Sequence, residues 1–305
     1  MVEIITITLP IFVIIAAGWI LKRFNVVKHS WIKVLNDFVY FVALPALIIE
    51  GFSSITWDSN LVYLVGVNTI YITAISLILF VLFSLLPITP KIKATLFLMG
   101  IVGNTVYMGF PIIASFTKLD INSIAPIPTL YLIYSMLIGL LVIKFWVNKK
   151  KKISIYVYDL VKNPLFLSVI AGVLISLFFN IDEIPSISTP LKMVALTASP
   201  LALFTLGAFL NEKFTPKYLG YAVALSIFKI IVFPLTAIVA LINFNLSNEN
   251  LSISVIGASM PIAVTVFILT EKYNLDSKLA ASGIVISTIT SFVTVTLFLS
   301  FLRGV

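Results

Sequence analysis

The chain has 305 residues, of which 60% are apolar and 10% are charged, and its mean hydropathy is +1.15. A soluble domain carries roughly 25% charged residues, so this composition excludes a water-soluble globular protein and indicates that lipid surrounds most of the chain. The net charge of +8 does not indicate a nucleic-acid partner, because the basic residues flank apolar stretches and form no single basic face. No cysteine is present and His29 is the only histidine, so thiol chemistry and most histidine-based metal sites are excluded, and no cofactor is expected.

Ten apolar stretches follow one another along the chain, each near the ~20 residues that a helix needs to cross a bilayer. They predict an all-α integral membrane protein with ten transmembrane helices, near residues 4–21, 35–55, 61–86, 94–117, 126–147, 164–180, 190–211, 218–243, 251–270 and 279–302. The first stretch lacks a basic n-region and a small-residue cleavage site, so we expect a retained helix and not a signal peptide.

Lysine and arginine are concentrated in every second loop. The loops after helices 1, 3, 5, 7 and 9 hold Lys22, Arg23, Lys28, Lys33, Lys91, Lys93, Lys149 to Lys152, Lys162, Lys213, Lys217, Lys272 and Lys278, whereas the other side holds Lys118, Lys192 and Arg303. Cytoplasmic loops of membrane proteins are enriched in these residues. The sequence therefore predicts a protein of the cytoplasmic membrane with both termini outside the cell.

Prolines recur at a nearly constant interval, which indicates an internal duplication. The matching pairs are Pro10 and Pro164 (154 residues apart), Pro45 and Pro200 (155 residues apart), and Pro111 and Pro261 (150 residues apart). The predicted units are a first five-helix repeat at 1–147, a basic cytoplasmic connector at 148–163 and a second five-helix repeat at 164–305. Because five is odd, the second repeat enters the membrane from the opposite side, as in the inverted repeats of secondary transporters.

Helix-breaking residues cluster inside predicted helices 4 and 9. Helix 4 contains Gly103, Asn104, Gly109 and Pro111, and helix 9 contains Pro261. A proline inside a helix removes one backbone hydrogen bond, and irregular backbone at membrane depth survives only where protein or a watered cavity surrounds it. We expect both helices to break near the membrane midplane, with half-helices that begin near the prolines and present positive N-termini to an anion.

Two polar side chains strengthen the prediction of an anion site, and each has a structural alternative. The Asn104 amide could donate to a carboxylate, or it could simply join two helices. Lys229 lies eleven residues into helix 8, where burying its charge costs at least ~2.5 kcal/mol. It could attract the anion, reach toward the membrane surface, or pair with a helix carbonyl.

The stretch from Asn104 to Pro111 is similar to the crossover motif of the auxin efflux carriers and their bacterial and archaeal permease relatives. Residues 35–45 of helix 2, 203–207 of helix 7 and 261–285 around helix 9 are also similar to that family, so the resemblance covers nearly the whole chain. Asn68 stands where the plant carriers have an acidic residue, and their long cytoplasmic loop is absent. The chain therefore resembles the prokaryotic branch.

The resemblance implies two inverted five-helix repeats whose broken helices 4 and 9 cross. It also implies a scaffold of helices 1, 2, 6 and 7 with a homodimer interface through helices 2 and 7, and a transport unit that moves like an elevator. Carboxylates would be the substrates, with Asn104 on the carboxylate and Pro111 and Pro261 framing the crossover. The candidate substrate-binding residues are Asn104, Gly103, Gly109, Pro111, Pro261, Lys229 and Asn68.

The sequence thus predicts a secondary transporter of small organic anions that works by alternating access. Export could be driven by the membrane potential alone, since moving one charge across 100 mV involves ~2.3 kcal/mol. One alternative is a sodium-coupled organic anion symporter of the bile-acid type. A remote alternative is an intramembrane enzyme, which would require paired carboxylates or a Ser–His pair at one depth. Glu50 is the only acid clearly inside a predicted helix.

Overall fold

The computed structural model describes residues 2–53, 55, 57–119, 121–147, 152–179, 181–210 and 216–303. All regular secondary structure in these residues is helical, which confirms the predicted all-α class. Extended backbone pairing is limited there to one isolated antiparallel bridge between Gly103 and Ile262.

Sixteen α-helical segments are numbered in chain order within the described residues. They are α1 (Val2–Arg23), α2 (His29–Phe38), α3 (Leu44–Ser53), α4 (Ser59–Leu85), α5 (Pro90–Ile101), α6 (Phe110–Thr117), α7 (Ile121–Ile124), α8 (Pro126–Trp146), α9 (Ile153–Val161), α10 (Pro164–Phe178), α11 (Pro185–Phe209), α12 (Leu219–Ile227), α13 (Phe233–Leu241), α14 (Asn248–Ser259), α15 (Val264–Lys272) and α16 (Ser277–Leu302). Three π-helical segments precede α3, α6 and α13, at Val39–Ala43, Thr105–Gly109 and Phe228–Val232.

Seven helical stretches of the described chain are long and apolar enough to cross a membrane. They are Ile4–Arg23, Ser30–Ser53, Ser59–Leu85, Pro126–Trp146, Pro185–Phe209, Leu219–Phe244 and Ser277–Leu302. Their outward faces carry large apolar side chains such as Leu85 and Leu196, which are 78% and 76% exposed and suit contact with hydrocarbon. The chain is therefore a multi-pass membrane protein.

Of the other three predicted helices, two are divided, as expected for helices 4 and 9, and one is short. Helix 4 is divided into α5 and the stretch Thr105–Thr117, helix 9 is divided into α14 and α15, and helix 6 is the 15-residue α10. Of the predicted connector, residues 148–151 lie outside the described residues, and Ile153–Val161 forms α9. The Asp159 carboxylate on α9 pairs with Lys272 at 3.1 Å and accepts a hydrogen bond from Tyr273, which ties this segment to the end of α15.

One group of helices contains α1, α3, α10 and α11, and its closest crossings are made by glycines. A β-carbon on Gly18 of α1 would lie 2.0 Å from the Phe204 carbonyl oxygen, so the backbones of α1 and α11 touch. A β-carbon on Gly172 of α10 would lie 3.2 Å from the Ile49 carbonyl oxygen of α3. Gly18 and Gly172 are 154 residues apart, and Ile49 and Phe204 are 155 apart, which are the intervals of the first two proline pairs.

The second group contains α4, α5, α8 and α12–α16. The buried parts of α5 and α14, residues 94–101 and 251–259, form its centre. The α14 segment packs against α6, and α15 packs against α5, so the two halves of each divided helix contact opposite halves of the other. This arrangement places both interruptions at the middle of the second group.

The π-helical segments explain why three prolines do not break their helices. Each segment is followed by one residue and then a proline, namely Pro45, Pro111 or Pro234. The residue before the proline donates its N–H five residues back, as from Phe110 to the Thr105 carbonyl. The wider turn accommodates a residue that has no N–H and whose ring would clash with the carbonyl four residues back.

Candidate functional site

Two interruptions, one between α5 and Thr105 and one between α14 and α15, lie against each other. The Asn104 N–H donates to the Pro261 carbonyl at 2.7 Å, and the Ala263 N–H donates to the Val102 carbonyl at 3.1 Å. All residues of both interruptions are buried. We call residues 102–104 and 260–263 the crossover; these backbone bonds satisfy polar groups that could not otherwise be accommodated away from water.

The position of the first interruption differs from the prediction. The backbone breaks at residues 102–104 and the next half-helix begins at Thr105, not near Pro111. Pro111 lies in the first turn of α6 and is half-buried, because the π-helical segment before it absorbs its effect. Pro261, by contrast, lies within the second interruption. The bridged residues Gly103 and Ile262 are 159 residues apart.

The backbone N–H and carbonyl of Asn104 are both hydrogen-bonded, whereas its side-chain donor is not. Its carbonyl accepts hydrogen bonds from the N–H groups of Met108 and Gly109, at 3.1 and 3.2 Å. Its side chain is 3% exposed, and Nδ2 has no hydrogen-bond partner among the described residues. An unsatisfied buried donor costs about 1–3 kcal/mol, so this amide is poised to donate to a bound molecule.

Two half-helices start at the crossover, one at Thr105 directly after Asn104 and the other at Val264 directly after Ala263. Neither start is capped by a side chain of the preceding residue. Helix N-termini carry a partial positive charge and free N–H groups. Positive helix ends were predicted here and are present at the crossover. The second starts three residues after Pro261, as expected, whereas the first starts at Thr105 and not near Pro111.

Lys229 is fully buried in the π-helical segment between α12 and α13. Its Nζ donates to the Ala258 carbonyl at 3.1 Å and lies 3.9 Å from the centre of the Phe233 ring. Among the described residues no carboxylate lies within ion-pair distance of this ammonium. Of the alternatives that the sequence left open, pairing with a helix carbonyl is the one that the structure contains.

The glycines of the first divided helix allow this close approach. A β-carbon on Gly103 would lie 3.0 Å from Lys229 Nζ and 3.1 Å from its Cε, and one on Gly109 would lie 3.3 Å from Met260 Cγ. Any larger residue at Gly103 would press on the ammonium. Gly103, Asn104, Pro261 and Lys229 are thus brought together, and Gly109 touches the same place through Met260.

Asn68 belongs to a different, fully satisfied network. Its Nδ2 donates to the Leu64 carbonyl and to Ser254 Oγ, both at 2.9 Å, and its Oδ1 accepts from the Tyr131 hydroxyl at 3.1 Å. The amide therefore joins α4, α8 and α14. Both of its N–H donors are already occupied, unlike those of Asn104.

Ser287 is a site residue that the sequence reasoning missed. Its Oγ accepts the Ile262 N–H at 3.1 Å and so holds the second interruption open. Ser287 and Ser291 lie one helical turn apart on α16 and are both fully buried. That spacing of small polar residues is the signal that could have identified them.

A sizeable cavity lies away from the crossover. This cavity, of about 450 Å³, is an apolar groove between α1 and α16, lined by residues that include Phe12 and Phe292. Within the described residues no group of three or more His, Cys, Asp or Glu side chains could hold a metal ion. Donors at the crossover include the Asn104 amide and the Lys229 ammonium.

A buried polar centre made by two interrupted helices, enclosed by long apolar helices, defines a membrane protein of the transporter class. Comparison with known proteins gives the family. Residues 3–156 and 149–299 match the family described as "Membrane transport protein", and the chain belongs to it. This result confirms the resemblance to the auxin efflux carriers and their prokaryotic relatives.

Three relatives cover nearly the whole chain. An uncharacterised transporter of Methanocaldococcus jannaschii is 26% identical over 300 residues, 96% of each chain. An uncharacterised transporter of Methanothermobacter thermautotrophicus is 26% identical over 298 residues, 95% of each chain. A protein of Rhizobium meliloti, provisionally named a malonate transporter, is 25% identical over 326 residues, 100% of this chain and 97% of its own.

Proposed function

We propose that this protein is a secondary transporter of small carboxylates, which it binds at the crossover. The observation that carries the proposal is the buried Asn104 Nδ2, which has no partner among the described residues and belongs to the residue directly before the half-helix that starts at Thr105. A carboxylate oxygen is an acceptor of the right charge for this donor and for the free N–H groups of the first helical turns.

The electrostatic surroundings favour an anion over a cation or a neutral solute. Lys229 places its amino group beside Gly103, and no carboxylate among the described residues pairs with it. The same features count against the remote alternative of an intramembrane enzyme, because paired acids and a Ser–His pair are what such a site requires. Substrate-binding residues would be Asn104, Gly103, Pro261 and Lys229, with Gly109 shaping the site. Pro111 and Asn68 would act indirectly.

Malonate is the first substrate to test, because one relative is provisionally named for its transport. A compact dicarboxylate could place one carboxylate on Asn104 and the other on a helix N-terminus. Purified protein should gain thermal stability from malonate in a screen of mono- and dicarboxylates, since a molecule that binds only the folded state raises the melting temperature. Uptake of the best carboxylate into proteoliposomes then tests transport. A screen without any stabilising carboxylate would contradict the proposal.

Alternating access would use the two groups of helices. The group of α1, α3, α10 and α11 would be a fixed scaffold, and α4–α6, α8 and α12–α16 would carry the crossover across the membrane. The tight glycine crossings in the first group and the buried crossover in the second support this division. The ten-helix inverted-repeat topology, with α5 to α6, α10 and α14 to α15 counted as membrane crossings, belongs to the same proposal.

A homodimer would form through α2–α3 and α11, the counterparts of predicted helices 2 and 7. Phe41 and Leu196 on these elements are 61% and 76% exposed, and lipid or a second copy could cover them. Because the native chain has no cysteine, a single Leu196→Cys variant should form a disulfide-linked dimer in membranes on oxidation. Phe178→Cys, on the exposed face of α10, is the control. If Leu196→Cys and this control both stay monomeric on oxidation, the result argues against the interface.

A further inference from the structure

The carboxyl end of α14 loses its usual backbone donors at the crossover. In a continuous helix the carbonyls of residues 257–259 would accept the N–H groups of residues 261–263. Residue 261 is a proline without an N–H, the next N–H bonds to Ser287 Oγ at 3.1 Å, and the third bonds to the Val102 carbonyl at 3.1 Å. The negative end of a helix dipole is therefore buried without its normal partners.

The Lys229 ammonium takes the place of one of these donors. It donates to the Ala258 carbonyl at 3.1 Å, where the N–H of residue 262 would have bonded. It also lies over the Phe233 ring at 3.9 Å. A helix carboxyl end and the face of an aromatic ring both attract positive charge, so both contacts favour an ammonium over a neutral donor.

Within the described residues, the charged side chains of the helices that pack around Lys229 lie far from these carbonyls along the chain. The helices packed against the segment around Lys229 include α5, α14 and α16. Their charged side chains are confined to the first turns, at Lys91, Lys93, Glu249 and Lys278. Glu249 is nine residues before Ala258, which is about 13 Å along a helix.

We infer that Lys229 is a tethered cation that occupies a monovalent-cation site at the carboxyl end of α14. In broken-helix transporters, carbonyls at such half-helix ends coordinate the coupling Na⁺. Here the protein supplies the charge itself, so carboxylate binding does not require Na⁺. That consequence rests on the proposed carboxylate transport, whereas the assignment of the cation site does not.

A substrate-free experiment tests the cation site. Lys229→Ala removes the part of the side chain that n-propylammonium reproduces, and Lys229→Met fills the space without charge. We expect both variants to melt at a lower temperature than the wild type, and n-propylammonium to raise the melting temperature of Lys229→Ala only. The controls are 1-propanol, which has similar shape and no charge, and Lys144→Ala, which alters a lysine in the last turn of α8.

Two outcomes would overturn the assignment of the cation site. One is an unchanged melting temperature in Lys229→Met, and the other is equal stabilisation of Lys229→Ala by 1-propanol and by n-propylammonium. Either would show that the position needs volume and not charge.

A second measurement uses only the wild-type protein and therefore does not depend on the variants folding. Malonate affinity is compared in buffers whose sole added cation is Na⁺ or N-methyl-D-glucamine. We expect equal affinity in the two buffers, and binding confined to Na⁺ would overturn the inference. If no carboxylate binds in either buffer, the proposed function fails, and the n-propylammonium result still decides the cation site.

Discussion

Asn104 and Asn68 are both buried asparagines, but they differ in whether their side-chain N–H donors are used. This difference distinguishes a candidate binding residue from a structural one. Asn68 uses both N–H donors and its oxygen in hydrogen bonds to other helices. The Asn104 side chain contributes no hydrogen bond from Nδ2 within the described residues, and its backbone alone forms the bridge to Pro261. The two residues therefore make a matched pair for mutation.

We predict that Asn104→Ala abolishes or strongly weakens carboxylate binding and leaves the melting temperature of the unliganded protein nearly unchanged. A hydrogen bond to a charged group contributes about 1.5–3 kcal/mol, so the affinity should fall roughly 10- to 150-fold. Isothermal titration with the best carboxylate of the screen measures the loss.

Asn68→Ala is the matched control for the Asn104 variant. Because it leaves Ser254 and Tyr131 without their amide partner, it should lower the melting temperature, with an expected cost of about 1–3 kcal/mol. Unchanged carboxylate affinity in Asn104→Ala would remove that residue from the binding site.

Residue identity alone predicted much of the site, but it could not supply partners. Gly103, Asn104 and Pro261 were found because glycine, asparagine and proline are rare choices inside an apolar helix. The partner of Lys229 is the Ala258 carbonyl, which every residue type carries and which no sequence pattern marks. Ser287 was not predicted for a related reason, since the hydroxyl of a serine in a membrane helix ordinarily donates a hydrogen bond to a carbonyl of the same helix.

At the scale of helices, glycine crossings set the distances between elements. Gly18 of α1 and Gly207 of α11 each face a backbone carbonyl of the other helix, and β-carbons there would lie 2.0 and 1.9 Å from oxygen. A backbone oxygen cannot move aside as a side chain can. Small residues at such contacts let membrane helices approach closely, and this crossing stabilises the proposed scaffold.

We predict that Gly18→Ala separates α1 from α11 and destabilises the protein by about 1–3 kcal/mol or more, as overpacking of a tight interface does. The loss should be visible as a lower melting temperature in detergent. Gly66→Ala in α4 is the matched control, because nothing lies within 4 Å of the added carbon. That variant should be neutral or gain up to about 1 kcal/mol from better helix propensity. Equal melting temperatures for the two variants would contradict the close crossing.

The position of a proline within one helix does not by itself predict where that helix breaks. Pro111 and Pro261 are both prolines inside apolar stretches, yet only Pro261 lies in an interruption. The π-helical segment before Pro111 moves the break to residues 102–104. Whether a helix absorbs a proline or breaks depends on the neighbours that satisfy its freed backbone groups, and the sequence does not display them.

At the scale of the whole molecule, the basic residues are distributed unevenly between the two predicted sides of the membrane. Fifteen lysines and arginines lie in one set of loops and three in the other. If basic loops stay in the cytoplasm, the loop after α1 is inside and the loop after α10 is outside.

We predict opposite labelling of two single-cysteine variants, which are clean probes because the chain has no cysteine of its own. In intact cells a membrane-impermeant maleimide should label Glu183→Cys, and it should label Lys28→Cys only after the membrane is permeabilised. Both residues are exposed. The reverse pattern would invert the predicted topology, and labelling of both variants in intact cells would contradict the assignment of opposite sides.

The sequence by itself determined that this is a multi-pass helical membrane protein and placed unusual residues at the interruptions, because hydropathy, charge and helix-breaking chemistry act locally along the chain. The tertiary structure decided that the interruptions meet and pair their backbones, that Lys229 completes the end of α14, and that Asn104 keeps a free donor. The paired backbones lie more than 150 positions apart in the sequence, and Lys229 lies 29 positions before Ala258 on a different helix. Such pairings are set by the tertiary structure, since a buried polar group takes whichever partner the packing of other helices brings within hydrogen-bond distance.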